Sequence, residues 1–180
     1  AGQVGERGGF SRLFREVLLL LQQDLPAFAA VSIDVAPHLV LISHSGGYKA
    51  AALIAEHGGL KVAELCLLDS LYGALDSYDA LLVELLSAPA GQTQRRFINL
   101  YNVENTGKHS HALGERLREK LAKESRSELL YFDDGEAGLE GGTLDAALSH
   151  LIAVKRVPTE HSNFGATYVA PILRTSFLPD

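Results

Sequence analysis

A serine hydroxyl is a weak nucleophile at neutral pH and needs a base beside it to take its proton. Ser45 stands in the run Ser43-His44-Ser45-Gly46-Gly47, directly after the apolar stretch Leu39-Val40-Leu41-Ile42. That stretch reads as a buried strand, and Tyr48 to His57 read as a helix, so the serine falls on a strand-to-helix corner. Such a corner lifts the hydroxyl above the sheet and sets the helix N-terminus beside it. Small residues suit the corner because strand and helix cross closely there. The chemistry implied is nucleophilic attack on a carbonyl, with the backbone N–H of Gly46 donating to the developing oxyanion. The structural alternative is a small-residue turn that lets a helix pack on a sheet.

Two further residue types complete such chemistry. An imidazole can take the proton and return it to the leaving group, and a carboxylate can fix its tautomer. His161 follows the last expected strand within Val157-Pro158-Thr159-Glu160-His161-Ser162-Asn163, and Asp69 ends the apolar run that starts at Val62. The alternatives are a solvent-exposed loop histidine and an N-cap for a helix beginning around Leu71. Glu104, Asp133 and Asp134 compete for the acid. His44 abuts the serine but points differently from it, and is expected to line the pocket; Tyr72 and Tyr101, near strand ends, are expected as further pocket walls or as ordinary buried rings. His109, Ser110 and His111 form a polar cluster near Asn102, Glu104 and Asn105, yet no paired cysteines or His-x-x-x-His spacing supports a metal. No metal and no cofactor are expected.

The elements that must position these residues are legible as alternating periodicities. Phe10 to Gln23 has helical spacing, with Ser11 near its start. Val62 to Leu68 is a near-continuous apolar run, which suits a strand covered on both faces. Leu71 to Leu86 is helical in composition, Arg96 to Tyr101 is a strand, His111 to Lys123 is a charged amphipathic helix, and Leu129 to Phe132 is a short strand or an extended insertion. Leu144 to Leu151 holds one or two helical turns, Ile152 to Val157 is the last strand, and Gly165 to Leu178 is a closing helix interrupted by Pro171. Alternation of this type predicts an α/β fold with a mostly parallel sheet, helices on both faces and active residues at the carboxyl ends of the strands. The strands at Leu39–Ser43, Val62–Leu68 and Arg96–Tyr101 should be parallel neighbours, joined by Ile152–Val157.

Ser43-His44-Ser45-Gly46-Gly47 and His161 after the final strand, in the order serine, acid, histidine, make the chain resemble the α/β-hydrolase superfamily. The usual pattern has glycine where this chain has Ser43. The resemblance implies a cofactor-free serine hydrolase that cleaves an ester or amide through an acyl-enzyme. In a minority of that superfamily the acid follows the strand next to the nucleophile strand, the place of Asp69; in many it follows the strand after, where this chain has Asn102 to Glu104. The family also has strands before the nucleophile strand, and a loop there gives a second oxyanion donor. Residues 1–38 read only as an N-terminal helix and linker, and 39–180 as the catalytic core, together one domain. The expectation is therefore a fold truncated on its N-terminal side, with a different oxyanion partner or with the missing strands on another chain.

Composition narrows the remaining choices. The 180 residues are 47% hydrophobic, enough for one core, and the net charge is −6. That balance, with a sequence pI near 5.6, argues against nucleic acid or an anionic membrane as partner. The apolar run Val17 to Leu21 is too short for a membrane span, and no signal peptide is recognisable. The lone Cys66 sits in an apolar run, with no second cysteine for a disulfide. Methionine is absent even at position 1, so the chain reads as starting at a processed or trimmed end. The expected partners are a small-molecule or peptide substrate and a companion chain or second copy covering the strand edge at Leu39. Cytoplasm is the expected location. The acidic segment 133–142 would favour a cationic substrate or be a solvated loop. Peptidase activity and a non-catalytic α/β scaffold are the competing functions.

Overall fold

Apolar strands that alternate with helices bury both faces of a sheet only if the helices divide between those faces. A computed structural model describes residues 6–32, 38–87, 95–135 and 143–176. Five strands, β1 (Leu39–His44), β2 (Val62–Leu68), β3 (Arg96–Tyr101), β4 (Leu130–Asp133) and β5 (Ile152–Arg156), lie in the order β1-β2-β3-β5-β4. Every pairing is parallel. The helices are α1 (Gly9–Asp24), α2 (Tyr48–His57), α3 (Leu75–Ser87), α4 (Gly107–Lys123), α5 (Thr143–Leu148) and α6 (Phe164–Arg174). Among the described residues no helix is long and apolar enough to cross a membrane.

The two-residue period of the strands sorts the core into two halves. Leu65, Leu67, Phe97, Ile152 and Val154 pack with residues of α2, α3 and α4. Cys66, Leu68, Ile98, Leu100 and Ala153 pack with residues of α5 and α6. Cys66 is fully buried, and that burial is the main force pushing its thiol up to about 12, opposed by the Arg96 charge and reinforced by Glu64. The free thiol is a core side chain.

Several expectations need correction in detail. The helix expected from Leu71 begins at Leu75, after Ala74 turns the chain at φ 59°. Of the two expectations for Leu129 to Phe132, the short strand is the one found, as β4 at the sheet edge beside β5. Pro171 does not interrupt α6, which runs on to Arg174 and closes with Thr175 N–H bonding to the carbonyls of Pro171 and Ile172. Ser11 does not cap α1; its hydroxyl donates back to the carbonyl of Gly8, which enters the helix at φ 70°.

The run Val62–Leu68 also holds a charge with no water around it. Glu64 is fully buried and accepts from Arg96 Nε at 2.7 Å. The same guanidinium donates to the carbonyls of Leu148 at 2.8 Å, Thr175 at 3.0 Å and Ile172 at 3.2 Å. It thus satisfies carbonyls at the C-terminal ends of α5 and α6, where a cation is favoured. His38 at 2.7 Å and Ser176 complete the shell around Glu64. This pair anchors both helices to the amino edge of the sheet.

On the opposite face α4 crosses β4 where residue 114 has no side chain. A Cβ at Gly114 would lie 2.3 Å from the Phe132 ring. Gly114→Ala is expected to cost about 1–3 kcal/mol by overpacking, read as a lower urea midpoint at unchanged slope. An unchanged midpoint would mean that α4 does not sit on Phe132.

Candidate active site

β1 ends at His44, and Ser45–Gly47 form a tight turn into α2. Ser45 sits at φ 54°, a left-handed conformation that costs an L-residue about 1–3 kcal/mol. The need for small residues falls on one glycine. A Cβ at Gly47 would lie 2.9 Å from Ser43 Oγ, whereas one at Gly46 would meet nothing within 4 Å. Gly46 thus faces open space over the turn. Ser70 donates its hydroxyl proton to the Ser45 carbonyl at 2.8 Å. Ser43 therefore donates in the 2.7 Å bond between the Ser43 and Ser70 hydroxyls. Those two bonds tie the end of β1 to the end of β2.

Asp69 follows β2 directly and is fully buried, at φ 43°. Its Oδ1 accepts from the Asn102 N–H at 3.1 Å and from Thr106 Oγ1 at 2.6 Å. Its Oδ2 accepts from Asn105 Nδ2 at 3.0 Å and from His161 Nδ1 at 2.6 Å. The carboxylate is not used as a helix cap. Because a carboxylate accepts, the proton of the last bond belongs to Nδ1, which leaves Nε2 of a neutral His161 ring with its lone pair. Among the described residues Nε2 has no hydrogen-bond partner, and the side chain is 34% exposed. Backbone ties hold the histidine loop: Val157 N–H donates to the Tyr101 carbonyl at 2.9 Å, and Asn102 Nδ2 to the Thr159 carbonyl at 2.9 Å.

His44 is exposed and bonds through Nε2 to the His161 carbonyl at 2.9 Å, with ring centroids 4.6 Å apart. It holds the histidine loop against the Ser45 turn. Tyr72 packs on Tyr48 at 5.9 Å between centroids, and burial first, then the Asp69 charge, hold its phenol above the ordinary range, opposed by the Ser45 side chain. Tyr101 is placed differently: it is 2% exposed and belongs to the core under α2–α4, where burial, Asp134 and Asp133, opposed by Arg156, push its phenol up to about 12.

The other acids are engaged elsewhere. Asp133 is held by Lys155 at 2.5 Å, and Asp134 pairs with His111 at 3.1 Å. Glu104 is exposed, with its N–H on Asn102 Oδ1. Among the described residues no group of three or more His, Cys, Asp or Glu side chains could hold a metal ion. Most of the acidic segment, 136–142, lies outside the described residues.

Asp69 and His161 are therefore in contact, and the Ser45 turn is tied to both of their loops. Among the described residues no hydrogen bond joins Ser45 to His161. What the arrangement can do is hold an imidazole with a free basic nitrogen over the edge of the sheet that carries the Ser45 turn. Ser70 and Thr106 are not singled out by the sequence, and Asn105 stands there only as a neighbour of the His109–His111 cluster. The one signal for them was an unusual density of small polar residues just after β2 and β3. No protein-family model, curated protein or solved structure matches the chain.

Asp69→Asn puts an amide NH2 where two donors already point, whichever way the amide turns. The expected loss is about 1–3 kcal/mol for buried groups left unpaired, measured by urea unfolding. Wild-type stability would mean that the four-donor network does not form.

Proposed function

We propose that this chain is a serine hydrolase of α/β-hydrolase type, cleaving an ester or amide through an acyl-enzyme. The observation that carries the reading is the 2.6 Å bond from His161 Nδ1 to the fully buried Asp69. The Ser45 turn at φ 54°, on the same sheet edge, supports it. Ser45 is the nucleophile, His161 the base and then the acid, Asp69 the group that holds the imidazole, and the Gly46 N–H an oxyanion donor.

Ser45 Oγ attacks the substrate carbonyl as its proton passes to His161 Nε2, and the carbonyl π pair moves onto oxygen. Collapse of that intermediate breaks the bond to the alcohol or amine, which leaves with the proton from His161. Water then repeats the sequence on the acyl-serine and restores the enzyme. Asp69 takes no proton; it stabilises the imidazolium and keeps Nε2 aimed outward. A hydrogen bond between nucleophile and base is often long in an empty site and tightens on substrate binding. Among the described residues β1 is an edge strand, and its outer side suits a companion chain or second copy that adds a strand there.

Reaction with a fluorophosphonate probe tests the reading. Ser45 is expected to carry the label on peptide mapping, and Ser45→Ala to lose both the label and about 10⁴–10⁶-fold in aryl-ester hydrolysis. An unlabelled Ser45, with the same hydrolysis in the alanine variant, would leave a non-catalytic scaffold.

A further inference from the structure

The chain that leaves β5 for His161 soon reaches a residue with no N–H to give to β3. Val157 N–H donates to the Tyr101 carbonyl at 2.9 Å, and Pro158 follows it. Side chains fix the loop beyond that point. Asn102, directly after β3, donates through Nδ2 to the Thr159 carbonyl at 2.9 Å. Its Oδ1 accepts the Glu104 N–H at 2.9 Å. A backbone N–H at one end and a carbonyl at the other leave the amide a single orientation. The backbone N–H of the same residue donates to Asp69 Oδ1 at 3.1 Å. Asn102 thus grips the acid with its main chain and the histidine loop with its side chain. On the far side of the loop the Thr159 and Tyr168 hydroxyls share a 2.5 Å bond, and Tyr168 is fully buried in α6.

We propose that Asn102 is a positioning residue of the Ser45 site: it keeps His161 on Asp69, so that Nδ1 carries the proton and Nε2 stays basic. This rests on the serine-hydrolase reading. The two partners differ in how firmly they are held. Asp69 is fully buried and fixed by Asn102, Asn105 and Thr106. His161 starts a single helical turn, His161–Asn163, and its side chain is 34% exposed. His44 steadies that turn from β1, through the His161 carbonyl. Asn102 is the tie on the side of the acid. Releasing Thr159 lets the ring drift from the carboxylate that it meets at 2.6 Å. A ring without that acceptor can place its proton on Nε2, where it cannot take one from Ser45. The Glu104 bond works in the same direction, because it stops the amide from turning its oxygen toward the Thr159 carbonyl.

Two variants remove the tie in different ways. Asn102→Ser keeps an acceptor for the Glu104 N–H but is too short to reach Thr159, and Asn102→Asp keeps the shape but offers the Thr159 carbonyl no donor. Rates of aryl-ester hydrolysis are expressed per fluorophosphonate-titrated site, so a loss of folded protein cannot imitate a loss of catalysis. The expected result in both is a kcat lower by about 10- to 100-fold at near-constant KM. Long-range proton–nitrogen NMR spectra of the neutral His161 ring should show the Nδ1–H form in the wild type and a mixture of tautomers in the variants. Wild-type kcat with the Nδ1–H form retained in both variants would overturn the role of Asn102 alone. So would fewer titratable sites at an unchanged kcat per site. A wild-type protein that does not label at Ser45 would overturn the hydrolase reading and this role together.

Discussion

A carboxylate taken out of water must be surrounded by donors, or its burial costs more than a small domain can offset. Asp69 meets that demand with two donors on each oxygen, and the donors come from three places: the end of β3, the approach to α4, and the loop after β5. None of these segments is close to Asp69 in sequence. The need to solvate this one group therefore fixes how the loops over the carboxyl edge are arranged. It also fixes the His161 ring, whose Nδ1 is used up and whose Nε2 is left outward. The same residue at φ 43°, with Ser45 at φ 54° in the turn after the neighbouring strand, concentrates backbone strain at this edge.

The opposite edge is governed by a different buried charge. Glu64 and Arg96 neutralise each other there, and the guanidinium closes the carboxyl ends of α5 and α6. Losing one partner of such a pair is costly, about 3–5 kcal/mol, because the other stays charged in the core. The work is thus divided along the sheet. The amino edge is sealed by an ion pair whose groups face inward, while the carboxyl edge keeps an imidazole nitrogen and an exposed Gly46 turned outward. In parallel α/β sheets generally, ligand sites lie in the crevice outside the carboxyl ends of the strands.

The parts of the fold visible in the sequence are those set by local pattern. Val62–Leu68 and Arg96–Tyr101 are strands over the expected residues, and Tyr48–His57 is a helix over its whole expected length. Apolar runs and the residues that end them carry that information. The insertion of β5 between β3 and β4 carries no local mark, since it depends on which strand edge is left free when the chain returns. α3 starts four residues later than expected, at Leu75, because Leu71 is drawn into the core and Ala74 turns the chain at a positive φ. Asp69 and His161 could be paired on paper through the sheet edge they share. Thr106 and Asn105 could not, because a hydrogen-bond donor has no periodicity. Glu64 was hidden for the opposite reason: a single charge inside an apolar run looks like a break in pattern until Arg96 stands beside it.

In the proposed hydrolase, Ser45 and His161 act as one catalytic unit. The most direct test is the kcat/KM of a Ser45→Ala/His161→Ala double variant, set against the two single variants on one aryl ester. Residues that act as a unit lose nearly everything with the first substitution. The double variant is expected within roughly threefold of the slower single one. Losses that multiply, or a wild-type protein with no rate above that of the double variant, would contradict it.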